Sequence, residues 1–205
     1  MALTFFGTKG SCSLATHIAL EEAGADYEFR KVDTAAGDQR KPDYLKINPK
    51  GRVPALVTDH GVLTENVALL QFVAQSYPNA NLAPADAFGL AKMNAFNAYL
   101  ASTVHVNHAH KMRGTRWSDD PAVVENLKLK VPQTMTDCAA LIETEYLAGP
   151  WVMGAQYTVA DGYLYLMESW FEDDGVDMSK FPKLVAHRTA MNARPAVQRV
   201  LTALT

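Results

Sequence analysis

A change of texture at residues 78–86 constrains this chain more than any other feature. Pro78-Asn79-Ala80-Asn81-Leu82-Ala83-Pro84-Ala85-Asp86 combines two prolines with polar residues, so a preceding helix cannot continue through it. Before this break, short apolar runs alternate with helical periodicities. Residues 3–6 suit a buried strand. Residues 11–23 place Leu14, Ile18, Ala19 and Ala23 at helical spacing, ahead of a stop at Gly24. Residues 27–32 are rich in strand formers, with Tyr27 and Phe29 on one side. A short helix is expected near 42–46, a hairpin from 53–58 and 61–63 around Asp59-His60-Gly61, and a helix over 65–77. The order strand, helix, strand, helix, strand, strand, helix describes a small α/β sandwich with one crossover and a terminal hairpin.

After the break the pattern is helical. Asp120-Pro121 is an N-cap followed by proline at the first helical position, opening a segment that is expected to reach Gly149 with a kink or break at Pro132. Thr158-Val159-Ala160-Asp161 resembles a capping box, with Asp in place of Glu or Gln. Residues 181–192 and 195–204 supply two final helices. The expected division is an α/β domain over 1–78, a linker over 79–86 and an all-α domain over 87–205.

Charge and cysteine usage narrow the functional classes. Lys and Arg number 19 against 22 Asp and Glu, a net charge of −3, which gives no electrostatic footprint for nucleic acid or an anionic membrane. No stretch is apolar enough for a membrane helix, and residues 1–10 lack the pattern of a targeting segment. The two cysteines, Cys12 and Cys138, are too few for a disulfide scaffold and fit a reducing compartment, so a cytoplasmic location is expected.

Four constellations can carry chemistry. Cys12 follows a strand and the Thr8-Lys9-Gly10 turn and opens a helix, where unpaired amides favour an anion and bring an activated thiol to roughly 3.5–7.5; a small buried hydrophobe is the bland alternative. Ser11 and Ser13 flank it, as donors to a thiolate or as simple caps. At Val53-Pro54, proline opens a strand, which places it at an edge or in a cis bond; the cis form would turn the Val53 amide and carbonyl toward an extended peptide. Glu65-Asn66 at a helix start can hold an amino acid head group, or merely cap the helix. His105, His108 and His110 share one helix, where a metal site, a cleft-facing His105 and plain surface histidines are all readings. Trp117, Trp151, Trp170 and Cys138 read as packing residues.

Taken together, Gly10-Ser11-Cys12-Ser13-Leu14-Ala15, Asn48-Pro49-Lys50-Gly51-Arg52-Val53-Pro54-Ala55-Leu56, Leu63-Thr64-Glu65-Asn66-Val67-Ala68 and Thr158-Val159-Ala160-Asp161 resemble the cytosolic glutathione transferases. The cysteine opening the first helix is most similar to the bacterial beta class. The resemblance implies a thioredoxin-like N-terminal domain, an all-helical C-terminal domain and a homodimer with glutathione as co-substrate, without a metal, in an interdomain cleft. The second partner would be a small hydrophobic electrophile or a disulfide, in a detoxifying role. By the same resemblance, Cys12 faces the glutathione sulfur with Ser11 beside it, and Val53 before Pro54 pairs with the cysteinyl backbone. Glu65 and Asn66 would hold the γ-glutamyl end, His105 would reach the sulfur region, and Ser102 would approach across the dimer. The loop over 33–43 lacks the family's lysine for the glycyl carboxylate; Arg52, Arg40 and Lys41 are the candidates to replace it. Two chemistries fit, conjugation to an electrophile and thiol–disulfide exchange at Cys12. A non-catalytic ligand-binding or protein-interaction member of the same fold is the alternative.

Overall fold

The computed structural model describes residues 2–204, and its first half is a four-stranded mixed sheet. Strands β1 (Thr4–Gly7), β2 (Glu28–Lys31), β3 (Ala55–Thr58) and β4 (Gly61–Thr64) lie in the order β2-β1-β3-β4. β1 runs parallel to β2, joined through helix α1 (Ser13–Glu22), and antiparallel to β3, which forms a hairpin with β4. Helices α2 (Pro42–Ile47) and α3 (Asn66–Ser76) complete this half.

Side-chain alternation along β1 decides what each face packs against. Phe5 is fully buried in the main core with Leu56, α1 and α3, whereas its neighbour Phe6 faces a smaller cluster with Val32, Tyr44 and Val53 beneath α2. The Tyr44 hydroxyl (2.8 Å) and the Asn48 amide (2.6 Å) both donate to the Arg52 carbonyl, so the small cluster also fixes the backbone entering Val53.

Beyond Thr64 the described residues form helices and turns, with only isolated bridges at Trp151–Gly154 and Met153–Gln156. Helices α4 (Ala87–Tyr99), α5 (His105–Arg113), α6 (Pro121–Leu141), α7 (Val159–Phe171), α8 (Pro182–Asn192) and α9 (Pro195–Ala203) follow in sequence. Asp86 caps α4 by accepting from Gly89 N–H at 2.8 Å, and the capping box expected at Thr158 and Asp161 is formed at the start of α7. The main core runs without interruption from the sheet into the helical half, because α7 packs on α1. Gly162 of α7 faces Ile18 of α1 at this contact.

Two sequence expectations fail here. Of the kink or break expected at Pro132 the break is absent, and α6 ends at Leu141 in a wide turn, Ile142–Tyr146, rather than reaching Gly149. Proline removes one hydrogen bond from the helix interior, but Val131 and Met135 bury on either side of it and Gly175 (φ +88°) packs against its ring, so tertiary contacts outweigh the local penalty. Trp117 is not a core residue: it is 46% exposed after the short turn Gly114–Arg116, and its ring packs against His110. Trp151 and Trp170 do pack against the core as expected.

Candidate active site

The start of α1, the turn before β3 and the face of α5 enclose two adjoining cavities of about 440 and 140 Å³. Cys12, Arg52, Val53 and His105 line both, so the sulfur sits where the two meet. Gly10, with φ +69°, takes the chain through the left-handed conformation needed to turn from β1 into α1. The Ser11 and Ser13 hydroxyls are spent on this turn. Both lie within hydrogen-bond distance of the Thr8 carbonyl, at 3.0 and 2.9 Å, and one donates to the other at 2.7 Å. Of the two expected roles, the local one is therefore the one observed, although Ser11 still lines the larger cavity.

Cys12 departs from the expected activated thiol. Its Sγ donates to the Val53 carbonyl at 3.1 Å, and burial pushes the thiol up to about 11 against the lowering influence of Arg113 and Arg52. Desolvation of the anion outweighs the helix-start amides and the cations together. Val53–Pro54 is cis, the second of the two alternatives at that proline.

Glu65 and Asn66 line the smaller cavity but differ in availability. The Asn66 side chain is committed inside the fold: Thr16 Oγ1 donates to its Oδ1 at 2.7 Å and its Nδ2 donates to the Cys12 carbonyl at 2.6 Å. What Asn66 leaves at the start of α3 is its backbone N–H. Glu65 is exposed, carries φ +73° and pairs with Lys50, which also donates to Thr64 Oγ1 at 2.7 Å. A positive φ at a non-glycine residue stores backbone strain, and such strain clusters at ligand clamps. The sequence gives no sign of it.

The three histidines separate. His105 faces both cavities, and burial together with the nearby His108, Arg113, Arg116 and Arg52 lowers it to about 4, leaving a neutral imidazole at neutral pH. His108 stacks on Trp170 (4.0 Å, 8°) and its Nδ1 lies 2.6 Å from buried Asp174. His110 meets Trp117 edge-on at 4.4 Å. Among the described residues no group of three or more His, Cys, Asp or Glu converges as metal ligands, and no helix is long and apolar enough to cross a membrane. Ser102 is exposed and lines neither cavity, and Lys41 is tied to Asp38 at 2.6 Å. Arg40 and Arg52 do face the larger cavity.

Sequence reasoning missed Arg113 and Arg116 on the opposite wall. The signal was present. Residues 105, 108, 112 and 116 follow helical spacing, so extending the face of His105 along α5 and into the next turn leads to Met112 and Arg116.

This arrangement has counterparts. Residues 1–75 match the family model for the glutathione S-transferase N-terminal domain. The chain is 31% identical over 204 residues to glutathione S-transferase GstA of Escherichia coli O157:H7, covering 98% of each chain. Among solved structures it is similar to a glutathione transferase homolog from Sulfitobacter with bound glutathione (TM-score 0.96, 45% identity, 98% of each chain). It is also similar to the bacterial beta class glutathione S-transferase of Sphingomonas chungbukensis (TM-score 0.85, 34% identity, 98% of this chain and 100% of that one). A thioredoxin-like sheet carrying a cysteine at its first helix, backed by a helical half and matched end to end by these proteins, places the chain in the glutathione S-transferase family.

Proposed function

We propose that the protein binds glutathione across the two cavities and transfers it to an electrophile, with Cys12 acting as a protonated thiol that hydrogen-bonds the glutathione sulfur. The observation that carries this reading is the Cys12 Sγ–Val53 O contact of 3.1 Å at the junction of the cavities. A thiol raised to about 11 is a donor at neutral pH and a poor nucleophile, which favours conjugation over thiol–disulfide exchange. The bound peptide's cysteinyl N–H pairs with the Val53 carbonyl, freeing the Cys12 S–H to turn toward the ligand sulfur. Arg113 and Arg52, whose fields already favour an anion at Cys12, favour the thiolate of glutathione beside it. That thiolate forms the carbon–sulfur bond as the leaving group departs or the acceptor is protonated. His105, neutral and cleft-facing, is a hydrogen-bond partner there.

In the smaller cavity Glu65 takes the γ-glutamyl ammonium, exchanging its Lys50 partner, and the Asn66 N–H takes the carboxylate. Arg52, with Arg40 beside it, meets the glycyl carboxylate; Lys41 is engaged elsewhere. The proposal includes the beta class, the division into 1–78, 79–86 and 87–205, a cytoplasmic location, a cycle without metal and a homodimer in which exposed Ser102 approaches the ligand of the second copy. Titration calorimetry with glutathione, alongside turnover of an aryl halide, tests it. Cys12→Ala is expected to keep binding within about threefold and lose about tenfold or more in kcat at neutral pH. An enzyme that binds no glutathione would leave the ligand-carrier alternative. Disulfide reduction that exceeds conjugation and vanishes in Cys12→Ala would overturn the donor role in favour of exchange.

A further inference from the structure

The eight arginines of this chain fall into two sets. Arg30, Arg188, Arg194 and Arg199 each pair with a glutamate at 2.5–2.9 Å, and none lines the cleft. Arg40, Arg52, Arg113 and Arg116 have no carboxylate partner among the described residues, and all four line the cavity of about 440 Å³. No Asp or Glu lines that cavity, in a chain whose overall charge is −3. The clustering is therefore local and not a reflection of a basic protein. The guanidinium groups also act on one another: burial and then Arg113, Arg52 and Arg40 push Arg116 down.

Glutathione does not account for all four. On the reading above, which this inference depends on, its γ-glutamyl end lies in the smaller cavity between Glu65 and Asn66. Its glycyl carboxylate engages the loop side, where Arg40 and Arg52 stand. Arg113, on the helical wall facing them, has only the glutathione sulfur as a counter-charge, and Arg116 beside it has none. A neutral apolar electrophile would leave Arg116 unneutralised, and Arg113 as well once the sulfur has reacted, whereas a carboxylate accepts the paired N–H donors of a guanidinium. The same wall offers Met112, 79% exposed, and the His108–Trp170 stack as flat apolar contact for the body of such a molecule.

We propose that the second substrate is a small carboxylate-bearing electrophile, held through its carboxylate by Arg116 and Arg113, and not an uncharged hydrophobic one. This changes the partner expected from the sequence. Arg116 is the sharper probe, because Arg113 also acts on the Cys12 sulfur.

The test compares 4-chloro-3-nitrobenzoate with its neutral methyl ester. In each the glutathione thiolate forms the aryl–sulfur bond and chloride leaves with the electron pair, so the reaction is the same and only the charge differs. Rates are divided by those of the uncatalysed reaction with glutathione, and binding of 3-nitrobenzoate against 3-nitrobenzamide to the glutathione-saturated enzyme is measured by calorimetry. The expected result is a preference for the anion of about tenfold or more in both measurements, weakening as salt is raised. Arg116→Gln is expected to reduce that preference by about tenfold, while Arg188→Gln, outside the cleft, leaves it unchanged. Equal handling of anion and neutral compound by an enzyme that binds glutathione would overturn this inference alone. Failure to bind glutathione would overturn it together with the reading beneath it.

Discussion

Replacing Asp161 by alanine tests the junction on which the cleft is built. Asp161 is fully buried, and each of its oxygens serves a backbone donor: Val152 N–H at 2.7 Å on Oδ1 and Thr158 N–H at 2.7 Å on Oδ2. Oδ1 also lies 3.2 Å from His187 Nε2, whose other ring nitrogen is 2.9 Å from buried Glu168. Alanine orphans both N–H groups in a dry interior, at about 1–3 kcal/mol each. It also halves the negative charge holding His187, and removing one partner of a buried pair costs about 3–5 kcal/mol. These effects overlap, since Glu168 still holds the imidazole, and the expected loss is about 4 kcal/mol, or roughly 10 °C in Tm for a chain of this size. Urea unfolding followed by tryptophan fluorescence measures it, with an unchanged m value confirming that stability alone has moved. Asp161→Asn keeps one acceptor for one of the two N–H groups and should lose about half as much. A loss below about 1 kcal/mol in Asp161→Ala would refute the argument, because it would mean that those donors find other partners without cost.

Two further outcomes follow from the same kind of reasoning. Burial opposes a charge on His187, but Glu168 and Asp161 prevail and raise it to about 9, while burial also raises Glu168, so the cluster retains its proton. The folded value lies above the ordinary 6.5, so this stabilisation is complete below about 6.5 and is lost as pH rises through about 9. The urea midpoint should fall across that window and flatten in His187→Gln, and equal slopes in both proteins would refute the assignment. At Glu65, glycine relieves roughly 1–3 kcal/mol of strain at φ +73° against about 1 kcal/mol of added chain entropy. Glu65→Gly should therefore raise the unfolding midpoint while raising the glutathione KM about tenfold or more, and a lowered midpoint would show the backbone to be unstrained there.

The fold was legible because its signals are local and agree with one another. Phe5 and Phe6 alternate, Gly10 and Gly24 end elements, Asp120 and Thr158 cap helices, and residues 78–86 interrupt everything. The errors came where tertiary packing overrides a local preference. Pro132 breaks helices in isolation, but here Val131, Met135 and Gly175 hold its helix together. Trp117 is apolar enough to be core, yet the turn at Gly114 carries it to the rim. At the site, Cys12, Val53, Glu65 and His105 were legible from motif and helix start. Arg40 and Arg52 were named from the resemblance, but Arg113 and Arg116 were not singled out, because their place on the face of His105 gains meaning only when α5 closes over the sheet and brings all four to one cavity.

Cys12 shows why position in sequence does not by itself determine reactivity. A helix start and nearby cations both favour a thiolate, and from sequence those are the only visible influences. The fold adds a third, larger one. Burial of the sulfur against Val53 raises the cost of a thiolate, so the proton stays and is donated to the Val53 carbonyl. The anion-stabilising field is not lost by this; Arg113 and Arg52 also line the cavity in front of Cys12. A sulfur brought there by a ligand meets the same cations across the cavity that Arg52 and Arg113 line. On the proposed reading the site ionises a visiting sulfur in preference to Cys12, and the same charge would select what that sulfur attacks.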